Sequence, residues 1–137
     1  MPLLPEELSA GVVAYFDVEK LNGDQCVSSP ASPTTRNGPF LCVQVVEGQS
    51  TWTPLTWTYR PERLYIEPEW REGGTTAWHK GTPYLNDGAI TYVGENIAFV
   101  EASTGADTYK PETRQRVNAA GMQAVLNEIA SRNGALL

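Results

Sequence analysis

Two β-rich runs, Phe40-Leu41-Cys42-Val43-Gln44-Val45-Val46 and Thr51-Trp52-Thr53-Pro54-Leu55-Thr56-Trp57-Thr58, are separated only by the polar turn Glu47-Gly48-Gln49-Ser50. Runs of β-branched and aromatic residues about a glycine-containing turn form a hairpin. Trp52 and Trp57 are five residues apart. On one regular strand that odd spacing sends them to opposite faces, so one belongs to the core and the other to the surface. The threonines that close the second run carry hydroxyls that both donate and accept hydrogen bonds, a useful property at the mouth of a small barrel.

The rest of the chain supplies partners for this hairpin. Val12 to Val18 reads as a first strand, and Asn22 to Pro39 is a long polar loop without hydrophobic pattern. Loops of that length in compact domains tend to be functional. Arg63 to Glu67 is a further short strand closed by Pro68, and Glu69 to Gly81 is irregular and rich in glycine. Ile90 to Val93 and Asn96 to Val100 read as strands flanking Gly94-Glu95, a turn or bulge position.

The period then changes. Met122, Val125, Leu126 and Ile129 fall at helical spacing. Asn118 caps the first turn, Val117 staples onto Met122, and Asn133-Gly134 supplies a stop. The pattern predicts a helix from about Ala119 to Arg132. Many short strands followed by one terminal helix give a mainly β fold, a small and strongly curved antiparallel barrel with the helix packed on it. A length of 137 residues and a mass of 15.0 kDa are those of one domain.

No apolar run approaches the roughly 20 residues that span a bilayer. The start, Met1-Pro2-Leu3-Leu4-Pro5-Glu6-Glu7, lacks a basic segment followed by an apolar one, so the expectation is no signal peptide and a cytoplasmic location. Cys26 and Cys42 lack the close spacing of a redox or zinc motif, and are expected to be reduced thiols, Cys42 in the core and Cys26 in a polar loop. A net charge of −6 lacks the basic surplus usual in nucleic-acid binders, although Arg60, Arg63 and Arg71 are close enough in sequence for a local cationic patch.

The order of elements resembles the MazF/PemK (Kid-like) toxin family. Gly38-Pro39-Phe40-Leu41-Cys42-Val43 stands where that family has an Arg-Pro-apolar strand, and Pro54-Leu55-Thr56 where it has Pro-apolar-Thr. Val117-Asn118-Ala119-Ala120-Gly121-Met122-Gln123-Ala124-Val125 is similar to its final helix start. The residue directly before the proline is Gly38, so Arg36 is the nearest candidate for the family's arginine. The segment from Glu69 to Gly88 has no counterpart in the pattern. The resemblance implies an SH3-like barrel and a metal-independent endoribonuclease toxin without cofactor. It also implies a homodimer joined through barrel edges, single-stranded RNA as substrate and a small antitoxin protein as partner.

Cleaving RNA without a metal requires a base for the ribose 2′-hydroxyl, an acid for the leaving oxygen and a group that stabilises the phosphorane. Arg36 suits the last role because its planar fork engages phosphate bidentately. Thr56 positions a phosphate oxygen, and His79, the only histidine, or Asp87 in the Asn86-Asp87-Gly88 turn, serves as acid or base. Trp52 and Trp57 are candidates for stacking on bases, with Arg60, Arg63 and Arg71 holding the backbone. Each residue also has a plainer reading. Arg36 is a solvated loop arginine, Thr56 a sheet-face threonine, His79 a surface histidine, Asp87 a turn former, and the tryptophans fill a small barrel. No zinc spacing, phosphate loop, nucleophile elbow or dinucleotide fingerprint occurs. The alternative function is therefore a non-catalytic β-barrel interaction module, for example a phage or mobile-element accessory protein.

Overall fold

The computed structural model describes residues 3–28, 38–74, 76–86, 90–103 and 114–133. Arg36 and Asp87 lie outside them. A 3-10 turn (Pro5–Glu7) precedes β1 (Val13–Phe16), helix α1 (Val18–Gly23), β2 (Val27–Ser28), β3 (Gly38–Val46) and β4 (Gln49–Thr56). A second 3-10 turn (Pro68–Trp70) leads to β5 (Arg71–Glu72), α2 (Thr76–Lys80), β6 (Tyr84–Leu85) and β7 (Tyr92–Glu95). α3 (Asn96–Ala102), β8 (Arg116–Val117) and α4 (Ala119–Asn133) follow. The fold is mainly antiparallel sheet with a C-terminal helix.

The expected hairpin forms between β3 and β4. Its turn is the two residues Glu47 (φ 49°) and Gly48 (φ 81°). Positive φ at both positions is the turn type whose twist matches that of paired strands, and Gly48 adopts it without strain. An extra residue between Cys42 and Gln44 forms a bulge. The bulge resets the side-chain parity, so Val43 faces the cluster on one side of the sheet while Val45 packs on the other.

The strands form a six-stranded and a two-stranded antiparallel sheet, which a turn of the chain itself links into a ring. β1 pairs with β3, β3 with β4, and the end of β4 with β6. β6 meets the extended segment Leu64-Tyr65-Ile66 through a Tyr65–Tyr84 bridge, with Leu85 N donating to Leu64 O and Ile66 N to Pro83 O. That segment turns at Pro68–Trp70 into β5, which pairs with β8. β8 returns to the start of β1, where Val117 N donates to Gly11 O and Val13 N to Gln115 O. The first half of β4 instead pairs with β7, and β7 with β2, extending the sheet beyond the ring.

Alternation along these strands divides the apolar residues between two cores. Val13, Leu41, Val43, Leu55, Ile66, Leu85 and Val117 fill the ring with Trp78 and with Met122, Val125 and Ile129 of α4. Asn118 Oδ1 accepts from Gly121 N, the expected cap of α4. Leu126 is only partly buried, because the helix turns its inner stripe along Met122, Val125 and Ile129.

On the outer face, Ala14, Phe16, Phe40, Cys42, Trp52 and Tyr92 pack with Val18 and Leu21 of α1 and Ala98, Phe99 and Ala102 of α3. Phe16 lies edge-on to Phe40 (5.3 Å) and Trp52 (4.8 Å). Each such pair contributes about 0.5–1.5 kcal/mol beyond burial. Burial pushes the Cys42 thiol up to about 12; both cysteines are free.

Four sequence expectations are corrected, the first being that Glu69 to Gly81 is not irregular but holds the end of a 3-10 turn, β5 and α2. Asn96 to Val100 is not a strand but the body of α3, and Gly94 lies inside β7. A short apolar run fits either period, and here Ala98, Phe99 and Ala102 bury one helical face. The first strand ends at Phe16, because Asp17 accepts from Glu19 N and Lys20 N and so caps α1. The loop from Asn22 contains the end of α1 and also β2, which pairs with β7. No helix among the described residues is long and apolar enough to cross a membrane.

Candidate functional site at the barrel mouth

Tyr15 follows Val13 on the inner face of β1, and Trp57 is the next inward position after Leu55, one residue beyond the end of β4. Both therefore continue the inner face of the sheet towards solvent. With Trp78, Gly81, Thr82 and Gln115 they line a cleft of about 430 Å³. Trp78 is fully buried beneath it and Trp57 is 40 % exposed above it. The two indoles meet edge-on, with centroids 6.4 Å apart at 81°. Trp57 lies directly on the backbone of Gly81, where a Cβ would come within 2.9 Å of its ring. The Thr82 hydroxyl donates to Trp57 O (3.2 Å), tying the two walls together.

The cleft wall is held by Arg71. This arginine is only 5 % exposed, which withdraws it from the surface patch that the sequence suggested. Its guanidinium reaches Ile66 O, Trp78 O, His79 O, Gly81 O and Tyr65 Oη within 2.7–3.1 Å. Three of those acceptors are at and just beyond the C-terminal end of α2, whose carbonyls have no helical partners and attract a cation. The guanidinium also stacks over the Tyr65 ring (5.3 Å) and the Trp78 ring (5.9 Å). No carboxylate pairs with Arg71 among the described residues. Gly73 (φ 63°) lets the chain turn sharply before α2, at a position where a Cβ would meet Arg114 O at 2.3 Å.

The other candidates take separate positions. Trp52 is fully buried in the outer core, with its Nε1 donating to Ser50 Oγ, so it cannot stack on a base. Trp57 is the surface member of the pair. Thr56 pairs with Tyr84 and shares the outer parity of Trp52, so it stands across the strand end from the cleft. Its Oγ1 accepts from Thr58 N (3.3 Å), leaving its own hydrogen available to a ligand. His79 is exposed on α2, and its Nε2 is 2.6 Å from Gly73 O. A carbonyl only accepts, so the shared hydrogen sits on Nε2, and Nδ1 of the neutral ring is the acceptor. Arg60 is exposed, and Arg63 is half-buried with Nη1 donating to Thr58 O (2.7 Å).

Tyr59, Tyr84 and Tyr65 form a row past the end of β4, with centroids 5.8 and 5.2 Å apart; Tyr59 is 66 % exposed. Sequence reasoning missed this row and missed Gln115. The tyrosines lie in three separate segments that only the β4, β6 and 64–66 pairing brings together. No group of three or more His, Cys, Asp or Glu among the described residues is placed to hold a metal ion. Comparison with protein-family models, curated proteins and solved structures finds no match to this chain.

Proposed function

We propose that the chain is a MazF/PemK-like, metal-independent endoribonuclease or a diverged relative, acting on single-stranded RNA in the cytoplasm. The observation that carries this reading is the end of β4. There Pro54-Leu55-Thr56, the triplet similar to the family's, runs directly into an exposed tryptophan over an aromatic cleft. β3 enters the sheet at Gly38, two residues after Arg36, and Phe40 pairs with Pro54. The two strand ends thus lie side by side at Gly38 and Thr56.

In this reading a base takes the proton of a ribose 2′-hydroxyl, whose oxygen attacks the adjacent phosphorus. The bond to the 5′-oxygen breaks, and an acid protonates the leaving group. Thr56 donates to a phosphate oxygen, Arg36 stabilises the phosphorane, and His79 Nδ1 accepts a proton while Gly73 O holds the ring in its tautomer. Asp87 is the alternative titratable group. A homodimer restrained by a small antitoxin protein completes the proposal.

The test is incubation with mixed-sequence RNA in EDTA. Wild type should cleave; Arg36→Ala or Thr56→Ala should lose about 10²–10³-fold and His79→Ala about 10²–10⁴-fold. Cleavage that survives Arg36→Ala and Thr56→Ala refutes the site. Absence of cleavage by wild type favours the second reading, a non-catalytic interaction module. The exposed apolar side chains Val46 and Ile97 (52 and 54 %) at the hairpin end, away from the cleft, favour that reading.

A further inference from the structure

Two features meet in the cleft at the barrel mouth, and a third lies behind its wall. Gln115 is 1 % exposed, and its Oε1 has no hydrogen-bond partner although it lines the cleft. Buried side-chain polar atoms in folded proteins are bonded in the large majority of cases, and an unsatisfied one weakens the fold. Trp57 presents an indole that is supported from behind by Trp78 and Gly81. Arg71 places a full positive charge behind that wall, bonded only to neutral oxygens. A charge in a poorly solvated site acts over a longer range than one in water.

The three features select different parts of one ligand. The indole favours a flat π-system, since stacking on an aromatic side chain is tolerant of which ring is stacked. The amide oxygen requires an N–H donor at the ring's edge. With no carboxylate paired to it among the described residues, the guanidinium favours an anion nearby, in a chain whose overall charge of −6 would otherwise repel one. A purely apolar ligand would leave Gln115 unsatisfied, and an uncharged one would make no use of Arg71. The volume of about 430 Å³ lies within the range of small-molecule clefts.

We propose that the barrel mouth is a nucleotide site in which Trp57 stacks on the base, Gln115 Oε1 accepts an N–H from the base edge, and the charge of Arg71 draws the phosphate. The inference rests on the RNA-directed reading and names the subsite that holds one nucleotide of the strand. Tyr59, exposed two residues beyond Trp57, is the platform for a neighbouring base.

The test uses a fluorescein-labelled, 2′-O-methyl single-stranded octaribonucleotide of mixed sequence, with AMP, CMP, GMP and UMP as separate ligands read by tryptophan fluorescence. Trp57→Ala removes an exposed side chain, and Gln115→Leu exchanges the amide for an apolar group of similar size. Trp57→Ala should weaken octamer binding by about tenfold or more, and Gln115→Leu by about tenfold. Gln115→Leu should also leave the melting temperature unchanged or raise it, since it removes an unsatisfied polar group. A lowered melting temperature for Gln115→Leu would overturn the role given to the amide. Octamer binding unchanged in both variants, with RNA still cleaved by wild type, overturns this site and leaves the RNA-directed reading standing. Mononucleotide binding that is lost in Trp57→Ala, without cleavage of any RNA, supports the site and removes the nuclease. Failure of wild type to bind the octamer or any mononucleotide overturns the site.

Discussion

Arg71 and Arg114 are both almost out of solvent, at 5 and 2 % exposure, yet they are satisfied in opposite ways. Arg114 is matched in charge. Its Nε and Nη2 meet the two oxygens of Glu7 at 2.9 and 3.0 Å, although its Nη1 has no partner. Arg71 is matched in hydrogen bonds but not in charge, since every acceptor around it is neutral. A buried charge with no counter-ion among the described residues carries a desolvation cost that hydrogen bonds to neutral oxygens offset only in part. Arg114 joins the 3-10 turn at Pro5–Glu7 to the segment that leads into β8. Arg71 sits behind an open cleft. The difference separates an arginine that closes the structure from one that leaves an electrostatic demand at its surface.

The largest expected effect is at the paired arginine. Glu7→Ala should destabilise the protein by about 3–5 kcal/mol in a denaturant titration, because Arg114 is left buried and alone. Replacing both partners by leucine should recover most of that loss. A Glu7→Ala cost below about 1 kcal/mol would mean that the pair contributes nothing to the fold.

Arg71→Lys should cost less, about 1–3 kcal/mol. It keeps the charge but offers three donors to five acceptors, and each lost bond is worth about 0.5–1.5 kcal/mol. A loss as large as that of Glu7→Ala would show that the two arginines contribute to the fold alike.

The smallest effect is in acid. Burial raises the Glu7 carboxyl, but the Arg114 hydrogen bond, the Leu4 N–H and the charges of Arg114 and Arg116 outweigh it and hold the group below its ordinary value of 4.5. A depressed folded value means that the contribution is present above about pH 4.5 and is lost as pH falls from there through the folded value. The slope is at most about 1.4 kcal/mol per pH unit for one proton. In Glu7→Gln this component of the acid slope should vanish, whereas Arg71→Lys should retain it.

Much of the fold was legible because it rests on local patterns. The turn at Glu47-Gly48, the Met122, Val125 and Ile129 stripe, the Asn118 cap and the opposite fates of Trp52 and Trp57 follow from spacing along a few residues. α3 was misread because its apolar run is too short for its period to be distinguished from that of a strand. The site was less legible. Arg71 looks like any surface arginine until three carbonyls from α2 and the residues after it converge on it. Glu7 and Arg114 are 107 residues apart, a separation at which no sequence periodicity operates. Gln115 carries no signal at all in sequence, since its significance is an oxygen that the fold leaves without a donor.

The most direct measurement is a crystal structure of the complex with the 2′-O-methyl octamer, whose riboses lack the attacking hydroxyl and so survive intact. One base should be seated in the barrel mouth on Trp57, with an N–H on Gln115 Oε1 and the backbone crossing the end of β4 at Thr56. RNA bound at another face, with the mouth empty and the Gln115 oxygen still unpartnered, would contradict it.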